Sequence, residues 1–164
     1  MKKPPKFCCV PACIVLAASL AAVAAAPAVS AELSEYGNRL TTVMVKGVAV
    51  TAEVVQEPAR LYLGLSHRNS LPQGRGMLFI MPIEEVQQFC MRGMRFAIDI
   101  IWIRGGRVAG CEKNIAADDA RILTSPVPVK YVLEVPAGFC DRHRIGPSDE
   151  VSFQQPLSAA APVR

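Results

Sequence analysis

The sequence lacks the motifs of several common functional classes. No glycine-rich loop follows a predicted strand and opens a helix, so there is no sign of a phosphate-binding loop. Heptads and internal repeats are also missing, which argues against a coiled coil and against a repeat array. The two histidines, His67 and His143, occur in neither a Ser–His–Asp nor a His-x-x-x-His spacing, and both are predicted at the surface.

The first 31 residues have the three-part pattern of a secretory signal peptide. Three lysines precede an alanine-rich apolar run, which ends in small residues at the positions that a signal peptidase reads. We predict cleavage between Ala31 and Glu32. The alternative is an uncleaved membrane anchor, because the run approaches the ~20 residues that span a bilayer, but Pro11 and Pro27 interrupt it. The sequence therefore predicts an exported protein, periplasmic or secreted, without a membrane span after cleavage.

The charge balance gives no reason to expect nucleic acid as a partner. The whole chain has 18 basic and 14 acidic residues, a net charge of +4. Three of the basic residues lie in the predicted leader, which leaves 15 against the 14 acids and a net charge of +1. The apparent basicity therefore belongs to the leader, and the rest of the chain has the size of one domain.

Three of the six cysteines lie beyond the leader: Cys90, Cys111 and Cys140. Export would place them in an oxidising compartment, where one disulfide can form and one thiol would be left over. The sequence leaves the pairing open. The alternative is that these cysteines are free and act as small apolar side chains.

Most of the predicted elements are short strands. The clearest pattern is the alternation from Thr41 to Val55, which Lys46 and Gly47 interrupt, as expected for two tightly joined strands or one strand with a bulge. We predict a mainly β fold, an antiparallel sandwich or a partly open barrel with one or two short helices. The chain divides into the signal peptide 1–31, a lead-in 32–40, a β domain 41–154 and a disordered tail 155–164. Further strands are predicted at 77–81, 89–94, 97–103, 108–112, 129–135 and 150–153, and a helix at 58–66.

Asp99 stands in the middle of a very apolar strand. Alternation places it on one face with Ile101 and Ile103, and the other face is equally apolar, so the strand is predicted to be central. A buried ionised carboxylate needs a partner, because desolvation alone costs several kcal/mol. The candidate partners are Arg60, Arg92 or Arg95, or else backbone N–H groups that the carboxylate would cap.

An ordered set of short motifs resembles the DUF192 (UPF0127) family over residues 41–153. The resemblance implies a small, mainly β domain that is often exported and whose biochemical role is not established. Cys90 stands where the family usually has tryptophan, so any role of that ring in stacking a ligand does not carry over. The motifs are Arg60…Gly64-Leu65…Arg68…Leu71, Gly76-Met77-Leu78-Phe79, Phe89-Cys90-Met91, Ile98-Asp99 and Tyr131-Val132-Leu133-Glu134…Gly138.

A second strand carboxylate, Glu134, suggests a candidate site. In our first hypothesis, polar and methionine side chains form a pocket for a small polar ligand, such as a carbohydrate or a cell-envelope component. In the second, paired carboxylates Asp99 and Glu134 serve a hydrolase or lyase. The simpler alternative is a structural ion-pair network in which Arg60 holds the helix to the sheet. The candidate pocket residues are Arg60, Met77, Met91, Arg92, Asp99 and Glu134.

Sulfur-bearing side chains suggest a third hypothesis, a Cu(I)-handling protein. Strand alternation would place Cys90 and Met94 on one face and Met91 on the other. The simpler alternative is methionine as adaptable core filler. We expect no bound cofactor, and the sequence does not indicate an oligomeric state.

Overall fold

The computed structural model describes residues 32–154 of the 164-residue chain. The predicted signal peptide, the cleavage position at Ala31 and the tail 155–164 lie outside the described residues. Among the residues described, no helix has the length and apolar character needed to cross a membrane. The elements, in chain order, are β1 (Arg39–Val45), β2 (Val48–Val55), α1 (Pro58–Leu63), β3 (Arg75–Glu85), β4 (Gln88–Phe89), β5 (Ile98–Arg104), β6 (Arg107–Ile115), β7 (Leu123–Thr124), β8 (Val129–Pro136), α2 (Phe139–His143) and β9 (Val151–Phe153).

The seven-stranded sheet has the order β6-β5-β8-β3-β2-β1-β9. All neighbours are antiparallel except β2 and β3, which run parallel because α1 crosses over between them. The sheet curls into a half-barrel, and an isolated bridge between Arg107 and Glu150 joins β6 to the residues before β9. The predicted mainly β fold is thus confirmed as a partly open barrel. The short strands β4 and β7 form a separate pair.

Two buried clusters cover the two faces of the sheet. The first, which we call the α2 face, contains Phe139 and Cys140 of α2 together with residues such as Ile101 and Leu133. The second, the α1 face, is packed by Leu61 of α1 and contains Met77, Phe79, Ile100 and Trp102. Strand β5 is buried on both sides from Ile98 to Ile103, which confirms its predicted central position.

Local backbone conformation explains where the elements differ from the predicted bounds. Helix α1 ends at Leu63 instead of Ser66, because Gly64 adopts a φ of 51°. The predicted strand 89–94 shrinks to β4, since Gly93 turns the chain with a φ of 71° and a Cβ there would approach the His67 ring to 2.9 Å. Strand β3 continues past Pro82, where the register with β8 shifts.

Candidate functional site

Asp99 is fully buried and is held by backbone N–H groups from two elements. Its Oδ1 accepts from Asn114 N at 2.7 Å and from Gly138 N at 3.2 Å, and its Oδ2 accepts from Cys140 N at 2.8 Å. Gly138 precedes α2 and has no side chain with which to cap that helix. Asp99 therefore acts as a distant cap that fixes the start of α2 against β5 and β6.

The prediction that an arginine pairs with Asp99 is wrong. No guanidinium contacts Asp99 within residues 32–154, and the alternative, a carboxylate capping backbone N–H groups, describes the structure. The backbone N–H donors offset the cost of burying the Asp99 carboxylate, because a carboxylate can accept several charge-assisted hydrogen bonds at once.

The hypothesis that Asp99 and Glu134 lie together as paired carboxylates is also wrong. Strand β8 pairs with β5 so that Asp99 is opposite Val135 and Glu134 is opposite Ile100. Directly opposite residues share a face, and successive residues alternate between faces. Asp99 thus lies on the α2 face and Glu134 on the α1 face, with the sheet between them. The two carboxylates cannot flank one substrate.

Arg60 does not join this group either. It is an exposed residue of α1 and donates hydrogen bonds to Gly37 O at 3.2 Å and to Asn38 Oδ1. It therefore ties α1 to the lead-in segment and contacts neither Asp99 nor Glu134. The prediction that Arg60 bridges the helix to the sheet is wrong.

Arg68 is the arginine that reaches the sheet. Its Nη1 lies 2.5 Å from Glu53 Oε1 and its Nη2 lies 3.0 Å from Glu53 Oε2, a bidentate pair. The Arg68 guanidinium also stacks 3.7 Å from the centre of the Tyr36 ring. Glu53 Oε2 accepts two further hydrogen bonds, from Asn38 Nδ2 at 2.6 Å and from Ser34 Oγ at 3.0 Å.

These contacts decide the charge of Glu53. Burial by itself would raise the pKa of this carboxyl, but the bonds from Arg68, Asn38 and Ser34 together outweigh burial and lower the pKa below its ordinary value. Glu53 is therefore ionised at neutral pH. Neither member of this pair was predicted as a site residue, although Arg68 is one of the motif residues that resemble the family. The signal in the sequence was the alternation in β2. Val50, Ala52 and Val54 lie on one face of the strand, and Glu53 lies on the other face together with the apolar Val55.

Glu53, Met77 and Glu134 form a row across the α1 face. Glu53 is opposite Met77 on the neighbouring strand, and Met77 is opposite Glu134 on the next. The charge of Arg68 acts on Glu134 and lowers its pKa, but burial is the larger effect and raises the pKa of Glu134 to about 8. Glu134 is 6 % exposed, and its Oε2 has no hydrogen-bond partner among the described residues.

A cavity of about 280 Å³ lies beside Glu134, between the end of α1 and the sheet. Glu134 lines it, and so does Arg92, whose guanidinium stacks 4.1 Å from the centre of the Tyr62 ring. Of the other predicted pocket residues, Met77 and Met91 are buried in the core cluster of the α1 face. The remaining lining is mainly apolar and consists of Leu61, Tyr62, Leu63, Gly64, Leu65, Ser66, Phe79, Met81, Gln88, Phe89, Cys90 and Met94.

A second cavity, of about 500 Å³, lies beside the first. Arg60 and Arg68 line it together with Tyr36 and His67. The two cavities share Leu63, the last residue of α1, and Gly64 and Ser66, which follow it. Arg60 and Arg92, predicted to share one pocket, therefore line neighbouring cavities.

Cys90 and Met94 line the smaller cavity together, as the copper hypothesis requires, while Met91 is buried. Within the described part of the chain, no group of three or more histidine, cysteine, aspartate or glutamate side chains could hold a metal ion. The sulfur-bearing side chains that line this cavity are those of Met81, Cys90 and Met94.

Replacing Arg68 by methionine should lower the free energy of unfolding by about 3 kcal/mol at pH 7, because ionised Glu53 would remain buried without its cation. Since the pKa of folded Glu53 is lowered, the stability from this pair exists above the unfolded pKa and is lost as the pH falls through the folded pKa. Urea denaturation between pH 3 and 7 should therefore show a smaller acid loss in R68M than in the wild type.

Arg60→Met is the matched control for this prediction. Arg60 is exposed and has no carboxylate partner within residues 32–154, so its loss should cost less than about 1 kcal/mol. An equal loss in R60M and R68M would contradict the assignment of the bridge to Arg68.

Comparison with known proteins agrees with this architecture. The DUF192 family model, described as an uncharacterized ACR, matches residues 41–153. A crystal structure of a protein of unknown function from Novosphingobium aromaticivorans shares 27 % identity, has a TM-score of 0.71, and covers 76 % of this chain and 94 % of its own. A putative transcription regulator from Sinorhizobium meliloti shares 25 % identity with a TM-score of 0.67, covering 74 % and 97 %. No curated protein matches the chain.

Proposed function

Because the chain belongs to the DUF192 family, whose description gives no activity, we propose from the site itself that the protein is an exported binding module for a small polar ligand. The observation that carries this proposal is Glu134 Oε2, a buried oxygen that has no hydrogen-bond partner within residues 32–154 and belongs to a residue lining the cavity beside α1. Buried polar atoms are almost always hydrogen-bonded, and an unpaired one costs about 1–3 kcal/mol. A ligand hydroxyl or amide would supply the missing partner.

The chemistry of the cavity favours an uncharged ligand rich in hydroxyl groups. With a pKa of about 8, Glu134 is mostly protonated at neutral pH, so its carboxyl group can both donate and accept. Phe79, Met81 and Phe89 give apolar walls, and Arg92 adds donors. A volume of about 280 Å³ is near the lower end of small-molecule pockets, at ~300 Å³. A monosaccharide or a fragment of a cell-envelope polymer fits this description.

The other functions considered have less support. The hydrolase or lyase hypothesis needed Asp99 and Glu134 together, and the strand register separates them. The net charge of +1 beyond the leader gives no electrostatic reason to extend the description of the Sinorhizobium protein to this chain. Export is supported by the lysines, the apolar run and the cleavage pattern before Glu32.

The test is a thermal-shift titration of the purified protein with glucose, N-acetylglucosamine and a muramyl peptide. A ligand that binds only the folded state adds about 2.7 kcal/mol of stability at a hundred times its Kd, so at least one probe should raise the Tm. Glu134→Leu should abolish that rise, and Glu84→Gln, which changes an exposed carboxylate of β3, should preserve it.

Two results would contradict the proposal. The first is a flat titration with all three probes up to tens of millimolar. The second is an unchanged Tm rise in E134L, since the site would then lie elsewhere.

A further inference from the structure

Two of the three cysteines of the described residues meet on the α2 face. Cys111 of β6 is opposite Ile101 of β5, so it lies on the α2 face, and it packs against the cluster that contains Cys140. The two elements that carry them, β6 and α2, are in direct contact. Cys140 is fully buried and Cys111 is half-buried.

The backbone around the two thiols is already held in register. The Asp99 carboxylate accepts from the N–H of Cys140 and from the N–H of Asn114, three residues after Cys111. Asp141, next to Cys140, accepts from Lys113 Nζ at 2.8 Å and from Asn114 Nδ2 at 3.0 Å. Four side chains, those of Asp99, Lys113, Asn114 and Asp141, thus hold α2 against the end of β6, which keeps the two cysteines on elements that are fixed to each other.

Cys90 cannot take part in this pairing. It is exposed and lines the cavity on the α1 face, so the sheet separates it from the other two cysteines. Of the three pairings that the sequence leaves open, the fold permits one.

We propose that Cys111 and Cys140 are a redox pair that forms a disulfide between β6 and α2 by exchange with an external disulfide, leaving Cys90 as the free thiol of the domain. Cys111 is the attacking residue because it is the more accessible of the two. Hydrogen bonding from Cys140 lowers the pKa of Cys111, and Lys113 lowers it further, against the effect of burial; the same thiol–thiol bond and burial raise the pKa of Cys140.

The exchange has two steps. The Cys111 thiolate attacks one sulfur of the external disulfide, which forms a mixed disulfide and releases one external thiolate. Cys140 then loses its proton and attacks the Cys111 sulfur, which forms the internal disulfide and releases the second thiolate. The two released thiolates take up the two protons that the protein thiols lose. One external disulfide is reduced to two thiols, and two protein thiols are oxidised to one disulfide.

Peptide mapping tests this pairing directly. The protein expressed from the full sequence is incubated with oxidised glutathione, its remaining thiols are blocked with N-ethylmaleimide, and it is digested with trypsin. The three cysteines then fall in separate peptides, 76–92, 108–113 and 131–142. The expected product is a crosslink between the second and third peptides, with Cys90 outside the crosslink and either alkylated or carrying glutathione. A crosslink that includes Cys90, or alkylation of both Cys111 and Cys140, would overturn the proposal.

Two variants test the order of the steps. In Cys140→Ser, glutathione should remain attached to Cys111, because no second thiol can displace it. In Cys111→Ser, the buried Cys140 should stay unmodified. If Cys140 captures glutathione as readily as Cys111 does, the assigned order is wrong. The mapping of the wild-type protein stands even if one of these variants fails to fold.

Thermal denaturation measures how the Cys111–Cys140 disulfide changes the stability of the protein. Closing a loop of about 30 residues restricts the unfolded chain, so oxidation should raise the Tm by about 10 °C in the wild type and in the Cys90→Ser control. The rise should be absent in Cys111→Ser. A Tm that oxidation leaves unchanged or lowers in the wild type would show that the geometry does not accept the bond.

Discussion

Replacing Asp99 by asparagine is expected to lower the free energy of unfolding by about 3–4 kcal/mol at pH 7. The carboxylate satisfies three backbone donors, and an amide offers one oxygen in place of two. The amide NH₂ would then face an N–H group, either that of Cys140 or those of Asn114 and Gly138. A buried donor left unpaired costs about 1–3 kcal/mol, and more where the lost bond was charge-assisted. Urea denaturation of both proteins measures the difference.

Asp141→Asn is the matched control for this variant. Asp141 lies in α2 close to Asp99, and it also accepts hydrogen bonds, but it is exposed. Its replacement should cost less than about 1 kcal/mol. If D99N and D141N lose similar amounts, the interpretation of Asp99 as the cap of α2 is wrong.

Glu134→Gln should make the protein more stable than the wild type, by an amount that grows from about zero at pH 4 to several kcal/mol at pH 8. The reason is that folding raises the pKa of this carboxyl to about 8, so the folded protein holds its proton where the unfolded chain has lost it. Wild-type stability therefore falls as the pH rises from the unfolded pKa to about 8, and is constant above that. The slope is about 1.4 kcal/mol per pH unit. Glutamine removes this dependence.

Denaturation midpoints at pH 5, 6.5 and 8 measure the effect. Glu84→Gln serves as the control, because Glu84 is exposed in β3, and its replacement should give a difference from the wild type that does not change with pH. The same flat difference in E134Q would show that Glu134 is ionised and solvated in the folded protein, and would remove the basis of the proposed ligand site.

Alternation and turn chemistry predicted much of the sheet. The interruption at Lys46 and Gly47 correctly separated β1 from β2. The apolar character of both faces of residues 97–103 correctly indicated a central strand. These features depend on residues close together in the chain, where strand periodicity gives a direct signal.

The contacts between distant elements could not be predicted in the same way. Asp99 and Glu134 each sit inside a strand, but whether they share a face depends on the β5–β8 register, which the sequence of neither strand specifies. A shift of one residue would have brought them together. The short helix α2 was missed because its cap comes from Asp99, about 40 residues earlier in the chain.

Contacts between distant elements also decide which arginine reaches the sheet, which is why Arg60 was predicted in place of Arg68. Both are near α1, and only the path of the chain after Gly64 decides which one meets Glu53. From the sequence alone, every arginine of this region was an equal candidate.

The position of β8 has a consequence for how the protein is made. This strand lies between β3 and β5, yet it is the last long strand in the chain. During synthesis, β3 and β5 each keep an open edge until residues 129–136 have left the ribosome, and such edges invite aggregation. The native pairing of these edges therefore waits for the final quarter of the chain, and resistance to proteases should appear late and all at once.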